Sequence, residues 1–116
     1  MSRHENLVRL RHMLDHAREA IDMAGGRTRA DLDRDRQLNL CLVRLLEIVG
    51  EAASRVPAAD RASYPSIPWP DIVGLPNRLI HGYDRVDFDI LWQIVTRDLP
   101  LLVSALQKAL AEGSTP

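Results

Sequence analysis

The sequence predicts an all-α fold, an antiparallel four-helix bundle whose third helix is short. Apolar residues recur at alternating spacings of three and four over three long segments, and glycines and prolines separate those segments. Aromatic residues make up only 4% of the chain, whereas sheets favour aromatic and β-branched residues. With 116 residues, the chain is expected to form a single domain, residues 1–116, around one core.

The first helix is predicted from about Glu5 to Ala24. Its apolar stripe consists of Leu7, Leu10, Leu14, Ala17, Ile21 and Ala24. Gly25 and Gly26 are expected to end it, because glycine tolerates the left-handed conformation that follows many helices. The charged segment "RTRADLDRDRQ" then links it to the second helix, and the second half of this link can already be helical.

The second helix is predicted from roughly Asp33 to Arg55. Its stripe consists of Leu38, Leu42, Leu45, Val49, Ala52 and Val56. Gly50 lies beside the stripe, and a glycine inside a helix costs about 0.5–1 kcal/mol relative to alanine. We therefore expect Gly50 to permit the close approach of another helix.

The segment "VPAADRASYPSIPWPD" carries four prolines and is expected to be a long connection with one short turn. Pro70 suits the first turn of the third helix, which is expected to end near Gly82. Pro76 lies inside that helix and biases Leu75 away from helical dihedrals. A kink or break is therefore predicted between Gly74 and Asn77.

The fourth helix is predicted from about Asp87 to Ala111, with a bend at Pro100. Its stripe consists of Phe88, Leu91, Val95, Leu99, Leu102, Leu106 and Ala109. Several apolar residues lie off the stripes of the second and fourth helices, namely Cys41, Ile48, Trp92, Ile94 and Val103. Surplus apolar surface on so small a domain predicts a homodimer.

Composition narrows the classes of function. A net charge of −1 offers no electrostatic reason to expect bulk binding to nucleic acid or to a membrane, and no DNA partner is expected, although a few arginines could still handle a phosphate in a cleft. A lone cysteine, Cys41, excludes an intramolecular disulfide and suits a reducing compartment. The chain has no apolar run of transmembrane length, and "MSRHENLVRLRH" lacks the apolar stretch of a signal peptide. These features predict a cytoplasmic protein.

The stretch "GLPNRLIHGYDRVD" carries the candidate chemistry. An imidazole such as that of His81 can act as general acid or base near neutral pH. On a continuous helix, Arg78 would share its face and could neutralise charge on a phosphoryl group. The alternative is that His81 only caps a helix C-terminus. Gly82 is expected to turn the chain sharply and leave Tyr83 accessible beside His81; the alternative is an interfacial tyrosine whose hydroxyl is hydrogen-bonded.

The remaining polar pairs predict no metal site and no cofactor. His12 and His16 have a spacing that can bind zinc, but no third ligand is evident, so a solvated face is favoured. Glu47 and Glu51 share a helix face, where a salt bridge to an arginine is commoner than paired acid–base catalysis. Cys41 is interpreted as a packing residue within an apolar helix.

Three segments together resemble one family, the HepT-like branch of the HEPN superfamily. They are "LLEIVGEAASRV", "PWPDIVGL" and "PNRLIHGYDRVDFDILWQIVTRDLPLL", and the resemblance covers nearly the whole chain. It implies an all-helical, HEPN-like homodimer that cleaves RNA without a metal, as the toxin of a toxin–antitoxin pair. It also implies a partner, a minimal nucleotidyltransferase that acts as the antitoxin and transfers AMP onto a tyrosine.

The family motif is an Arg, four intervening residues, a His, one residue and a Tyr. His81 and Tyr83 match its last two positions, and Asn77 matches the polar residue that usually follows the Arg. Pro76 occupies the position of the Arg, and proline has neither a charge nor a donor with which to stabilise a phosphorane. The resemblance thus implies His81 as the proton-transfer group, Asn77 as the residue that positions the phosphate and Tyr83 as the AMP acceptor.

Three interpretations of Pro76 remain. Arg78 can supply the missing charge in a cleft that receives the motifs of both subunits. Alternatively, the protein has lost nuclease activity and serves as a non-catalytic module that engages the nucleotidyltransferase and accepts AMP on Tyr83. The third interpretation is a substitution that disarms a toxic protein. A plain structural bundle is a further alternative, which a neighbouring nucleotidyltransferase gene would disfavour.

Overall fold

The computed structural model describes residues 2–83 and 85–113, and it is mostly helical. The helices in chain order are α1 (Arg3–Ala24), α2 (Asp31–Arg34), α3 (Arg36–Ser54), α4 (Ala58–Arg61), α5 (Trp69–Val73), α6 (Leu75–Leu79), α7 (Phe88–Gln93) and α8 (Leu99–Gly113). A π-helical segment, Ile94–Asp98, joins α7 to α8. The predicted all-α helical fold is confirmed.

Local hydrogen bonds explain where the long helices begin and end. The hydroxyl of Ser2 accepts from the Glu5 N–H at 3.1 Å and caps α1, and Gly26 follows that helix with a φ of 75°. Asp35 has an extended backbone and accepts from the Leu38 N–H at 3.0 Å. This cap makes α3 begin at Arg36, three residues later than predicted, and separates it from the short helix α2 in the charged link.

The core lies where α1 packs along α3 and α8. Most of the predicted stripe residues are buried there, and the largest fully buried side chains include Leu10, Leu14, Leu42, Leu46, Leu91, Leu99 and Leu102. Burial of a leucine side chain contributes about 1.5–3 kcal/mol. The apolar pattern of the sequence therefore predicts the core of the bundle.

The third helix is broken, as predicted, and the break lies at Gly74. This residue ends α5 with φ −84° and ψ 1°, and Pro76 then falls in the first turn of α6, where no N–H donor is required. The predicted end near Gly82 is wrong, because Ile80 is extended and pairs with Val86 in an isolated β-bridge. Helix α6 therefore stops at Leu79.

Gly50 makes the close approach that its position predicts. A Cβ atom at Gly50 would lie 3.1 Å from Cδ of Pro76 and 3.2 Å from the Ile72 carbonyl oxygen. Helix α3 thus packs directly against the backbone of the broken third helix. A side chain at position 50 would push the α5–α6 segment outward.

The helix around Pro100 contains a widened, π-helical turn. The N–H of Leu99 donates to the carbonyl of Ile94, five residues earlier, and the π segment ends at Asp98, two residues before Pro100. Proline has no N–H to continue the α-helical pattern, and a π turn accommodates this locally. The fourth helix of the bundle therefore consists of α7, the π segment and α8.

Two predictions about apolar residues are wrong. Ile94 is fully buried and so does not belong to the surplus apolar surface. Cys41 is exposed on α3 and is not a packing residue. Ile48, Trp92 and Val103 are partly buried, so they remain candidates for a contact surface.

Candidate functional site

The candidate site is a short loop between α6 and α7. The Ile80–Val86 bridge closes it, the N–H of His81 donates to the Arg85 carbonyl at 2.8 Å, and the N–H of Asp87 donates to the Leu79 carbonyl at 2.8 Å. These backbone bonds fix the two ends of the loop.

Gly82, with a φ of 84°, makes the sharp turn that the sequence predicts. The side chains of His81, Tyr83 and Arg85 are exposed around this turn, and that of Tyr83 is exposed completely. Asp84 lies outside the described residues. The loop therefore presents an imidazole, a phenol and a guanidinium to solvent.

His81 faces a carboxylate. Its Nε2 lies 3.5 Å from Oδ2 of Asp87, and 62% of its side chain is exposed. Asp87 also caps α7 by accepting from the Ile90 N–H at 3.0 Å. That backbone bond, with a smaller contribution from His81, lowers the pKa of Asp87, so the carboxylate stays ionised and can orient the imidazole.

The prediction that Arg78 and His81 share a helix face is wrong, because α6 ends at Leu79, between the two residues. Nη2 of Arg78 lies 3.4 Å from Oδ2 of Asp98, at the end of the π segment. His81 instead faces Asp87 across the loop. Within one chain, therefore, these two side chains have different partners, and Asn77 is exposed on α6.

Pro76 is half-buried and lines a polar cavity of about 490 Å³. The side of α3 that faces this cavity carries four charged residues, Arg44, Glu47, Glu51 and Arg55. Arg55 forms a salt bridge with Glu51 at 3.0 Å. A salt bridge to an arginine is the role that the sequence favours for this glutamate over paired acid–base catalysis. The spacings of three and four among these residues reveal a shared helix face, but nothing in the sequence places that face beside Pro76.

Asp87 and Asp98, which the sequence analysis did not single out, are the carboxylate partners of His81 and Arg78. Asp87 carries a local signal, because an aspartate immediately before an apolar helical stripe is typical of an N-cap. Asp98 carries none, since its partner is twenty residues away and meets it only in the folded chain.

The other candidate residues form no comparable arrangement. Nδ1 of His16 lies 2.6 Å from the carbonyl oxygen of His12, and the two rings are 6.5 Å apart. In residues 2–83 and 85–113, no group of three or more His, Cys, Asp or Glu could hold a metal ion. None of the helices in these ranges is long and apolar enough to cross a membrane.

Comparison with known proteins identifies the family. The chain matches the family described as "Ribonuclease HepT-like" over residues 13–109. It is 32% identical to "Putative RNase TTE0752" of Caldanaerobacter subterraneus subsp. tengcongensis, over 87% of this chain and 90% of that protein. It is 33% identical to "Probable ribonuclease HepT" of Thermococcus cleftensis, over 82% of this chain and 90% of that protein. No solved structure matches the chain significantly. The chain belongs to the HepT-like ribonuclease family of the HEPN superfamily.

Proposed function

We propose that the protein is the toxin of a cytoplasmic toxin–antitoxin pair and cleaves RNA, without a metal, in a cleft shared by two subunits. The observation that carries this proposal is the exposed imidazole of His81, held by the backbone of its loop and facing the ionised carboxylate of Asp87. Membership of a ribonuclease family supports the choice of RNA as the substrate. The proposed partner is a minimal nucleotidyltransferase antitoxin.

The proposed chemistry requires a proton acceptor and a source of positive charge. The imidazole of His81 removes the proton of a ribose 2′-hydroxyl, whose oxygen attacks the adjacent phosphorus. The bond from phosphorus to the 5′-oxygen breaks, and an imidazolium returns a proton to that leaving oxygen. Asn77 positions the phosphate, and a guanidinium neutralises charge on the phosphoryl oxygens.

The interpretations of Pro76 differ in which side chain, if any, supplies the positive charge that the phosphoryl group requires. We propose Arg78, because it is exposed on α6 and its separation of 3.4 Å from Asp98 indicates a weak ion pair at the surface. In the single chain it does not pair with His81, so its contribution requires a cleft in which the motifs of two subunits meet.

Restoring the family arginine tests this directly. Loss of one group that stabilises developing charge typically lowers kcat by about 10²–10³-fold, so Pro76→Arg is expected to raise cleavage by at least about tenfold if the parent lacks this charge, and to change cleavage little if Arg78 already supplies it. The polar cavity beside position 76 has room for the longer side chain, and Glu47 and Glu51 line it. Cleavage of single-stranded RNA in EDTA is the measurement.

Arg78→Ala is the companion variant, with Arg18→Ala on the exposed face of α1 as a control. If Arg78 supplies the charge, Arg78→Ala should lose most of the activity of the parent and Arg18→Ala should retain it. An inert parent together with an inert Pro76→Arg variant would leave the nuclease proposal without support.

A homodimer is part of the proposal. The side chain of Leu40 is 51% exposed on α3, and Trp92 on α7 and Val103 on α8 are only partly buried. Apolar side chains left at the surface of so small a domain are typical of subunit contacts. Sedimentation equilibrium at micromolar concentration should therefore give the mass of two chains, and a stable monomer would contradict the shared cleft.

A second candidate function is favoured by the complete exposure of Tyr83 beside the turn at Gly82. In this alternative the protein is a non-catalytic module that engages the nucleotidyltransferase and accepts AMP on the phenol. The phenolic oxygen would attack the α-phosphorus of ATP, with pyrophosphate as the leaving group.

Incubation with the cognate nucleotidyltransferase and ATP labelled at the α-phosphate should label the parent but not Tyr83→Phe. Tyr64→Phe, which alters the partly buried tyrosine, is the control and should be labelled like the parent. Equal labelling of the parent and Tyr83→Phe would exclude Tyr83 as the acceptor.

A further inference from the structure

A groove of about 660 Å³ lies between the third helix and the fourth, on the side of α6 that carries Arg78. Buried apolar side chains from both helices form its floor, including Ile72, Leu75 and Leu102. Pro65 and Pro68 line it from the loop before α5. Its volume, its apolar floor and its few polar groups are those of a site for a small organic ligand. We call it the α5–α8 groove.

Three charged side chains, Asp71, Arg78 and Asp98, line this groove, and the last two of them face each other. The guanidinium of Arg78 lies 3.4 Å from the carboxylate of Asp98, and each side chain is 41% exposed. Both groups therefore keep hydrogen-bonding capacity for a ligand. Asp98 is the last residue of the π segment, a kind of widened turn that is frequent at functional sites. The groove thus combines an apolar floor with a guanidinium and two carboxylates, of which Asp98 is the one that faces Arg78.

The chemistry of these groups selects a ligand. An ionised carboxylate only accepts hydrogen bonds, and its two oxygens can accept from two donors side by side. Among the RNA bases, guanine alone carries two adjacent donors, N1–H and the N2 amino group, on its Watson–Crick edge. Single-stranded RNA exposes that edge and the flat faces of its bases, which suit an apolar floor.

We propose that the α5–α8 groove binds a guanine base of the RNA substrate, with Asp98 accepting hydrogen bonds from N1–H and the N2 amino group. This inference rests on the proposed ribonuclease function and adds a sequence preference to it. The proposed function places Arg78 in the cleft that also contains His81, so the guanine is expected near the bond that is cleaved. When the guanine base hydrogen-bonds to the Asp98 carboxylate, the guanidinium of Arg78 no longer pairs with Asp98 and can contact a phosphate of the RNA.

Binding of nucleoside 3′-monophosphates tests the groove without requiring cleavage. The parent should bind guanosine 3′-monophosphate about tenfold or more tightly than adenosine 3′-monophosphate, because a bidentate pair discriminates to that extent. Inosine 3′-monophosphate lacks the N2 amino group and should bind with intermediate affinity. Isothermal titration calorimetry gives the affinities, and NMR shifts in α5 and the π segment give the location.

Two variants sharpen the test. Asp98→Asn keeps the shape of the side chain but replaces one of the two acceptor oxygens by an NH₂ donor, so it cannot accept from N1–H and the N2 amino group side by side and the preference for guanosine should disappear. Asp89→Asn changes an exposed carboxylate of α7 that pairs with Arg29 and does not line the groove, so the preference should persist. His81→Ala should also keep it.

Equal affinity for the guanosine, inosine and adenosine nucleotides in the parent would overturn the inference. So would an unchanged preference in Asp98→Asn, or the absence of nucleotide binding because a second subunit covers the groove. Guanosine binding that depends on Asp98, in a protein that cleaves no RNA, would support the groove and contradict the ribonuclease function. The two proposals can thus fail separately.

Discussion

Replacement of His81 by alanine is expected to lower RNA cleavage by about 10²–10⁴-fold, the range typical of the loss of a general acid or base. The imidazole is the titratable group that the loop presents beside an ionised carboxylate, and alanine can neither take nor return a proton. Initial rates on a defined single-stranded RNA, with EDTA present throughout, give the measurement. Both the parent and Pro76→Arg should show the loss.

His4→Ala is the matched control, since it removes an exposed imidazole from the first turn of α1. It should leave the cleavage rate unchanged. A positioning role for Asp87 predicts a smaller loss in Asp87→Asn, because asparagine can still cap α7 but carries no charge to orient the imidazole. If His81→Ala cleaves as fast as the parent, the loop is not the site of proton transfer.

Replacement of Gly50 by valine is expected to destabilise the protein by about 1–3 kcal/mol, the usual cost of overpacking a tight contact. The new Cβ would lie 3.1 Å from Cδ of Pro76 and 3.2 Å from the Ile72 carbonyl oxygen, and the carbonyl belongs to the backbone and cannot rotate away. Chemical denaturation monitored by circular dichroism gives the free energy of unfolding. Because the contact supports α6, the variant should also cleave RNA more slowly.

Ser54→Val is the matched control. It places the same side chain on the same helix, at an exposed position that lines the cavity next to Pro76. It should change the free energy of unfolding far less than Gly50→Val does. Equal effects of the two variants would show that the cost does not come from the contact with the third helix.

The long helices are predictable from the sequence because their causes are local. The stripe from Leu7 to Ala24 and the following glycines define α1 within two residues of its start. Gly74 and Pro76 predict the break in the third helix because both act on the backbone within a residue or two of themselves. The expected bias of Leu75 away from helical dihedrals is wrong, since Leu75 begins α6. The turn at Gly82 and the exposure of Tyr83 also follow from residues that are neighbours in the chain.

Several predictions that depend on residues distant in the chain are wrong. Cys41 and Ile94 occupy opposite environments from those expected, because a stripe defines one face of a helix and does not show which other faces its neighbours cover. The end of α6 was misplaced because the bridge from Ile80 to Val86 competes with the helix for the same backbone groups. A single helical pattern contains no information about that competition.

The sequence by itself determined the helical class, the core stripes and the break at Gly74, and it predicts the family motif with proline in place of arginine. Only the tertiary structure decided which side chains lie next to the motif residues: Asp87 lies beside His81, and Asp98 lies beside Arg78. The physical reason is the distance along the chain over which each effect acts. Backbone propensities and apolar periodicity act within a few residues. The pairing of charged side chains instead depends on how the broken third helix packs between α3 and α7, which all of these elements determine together.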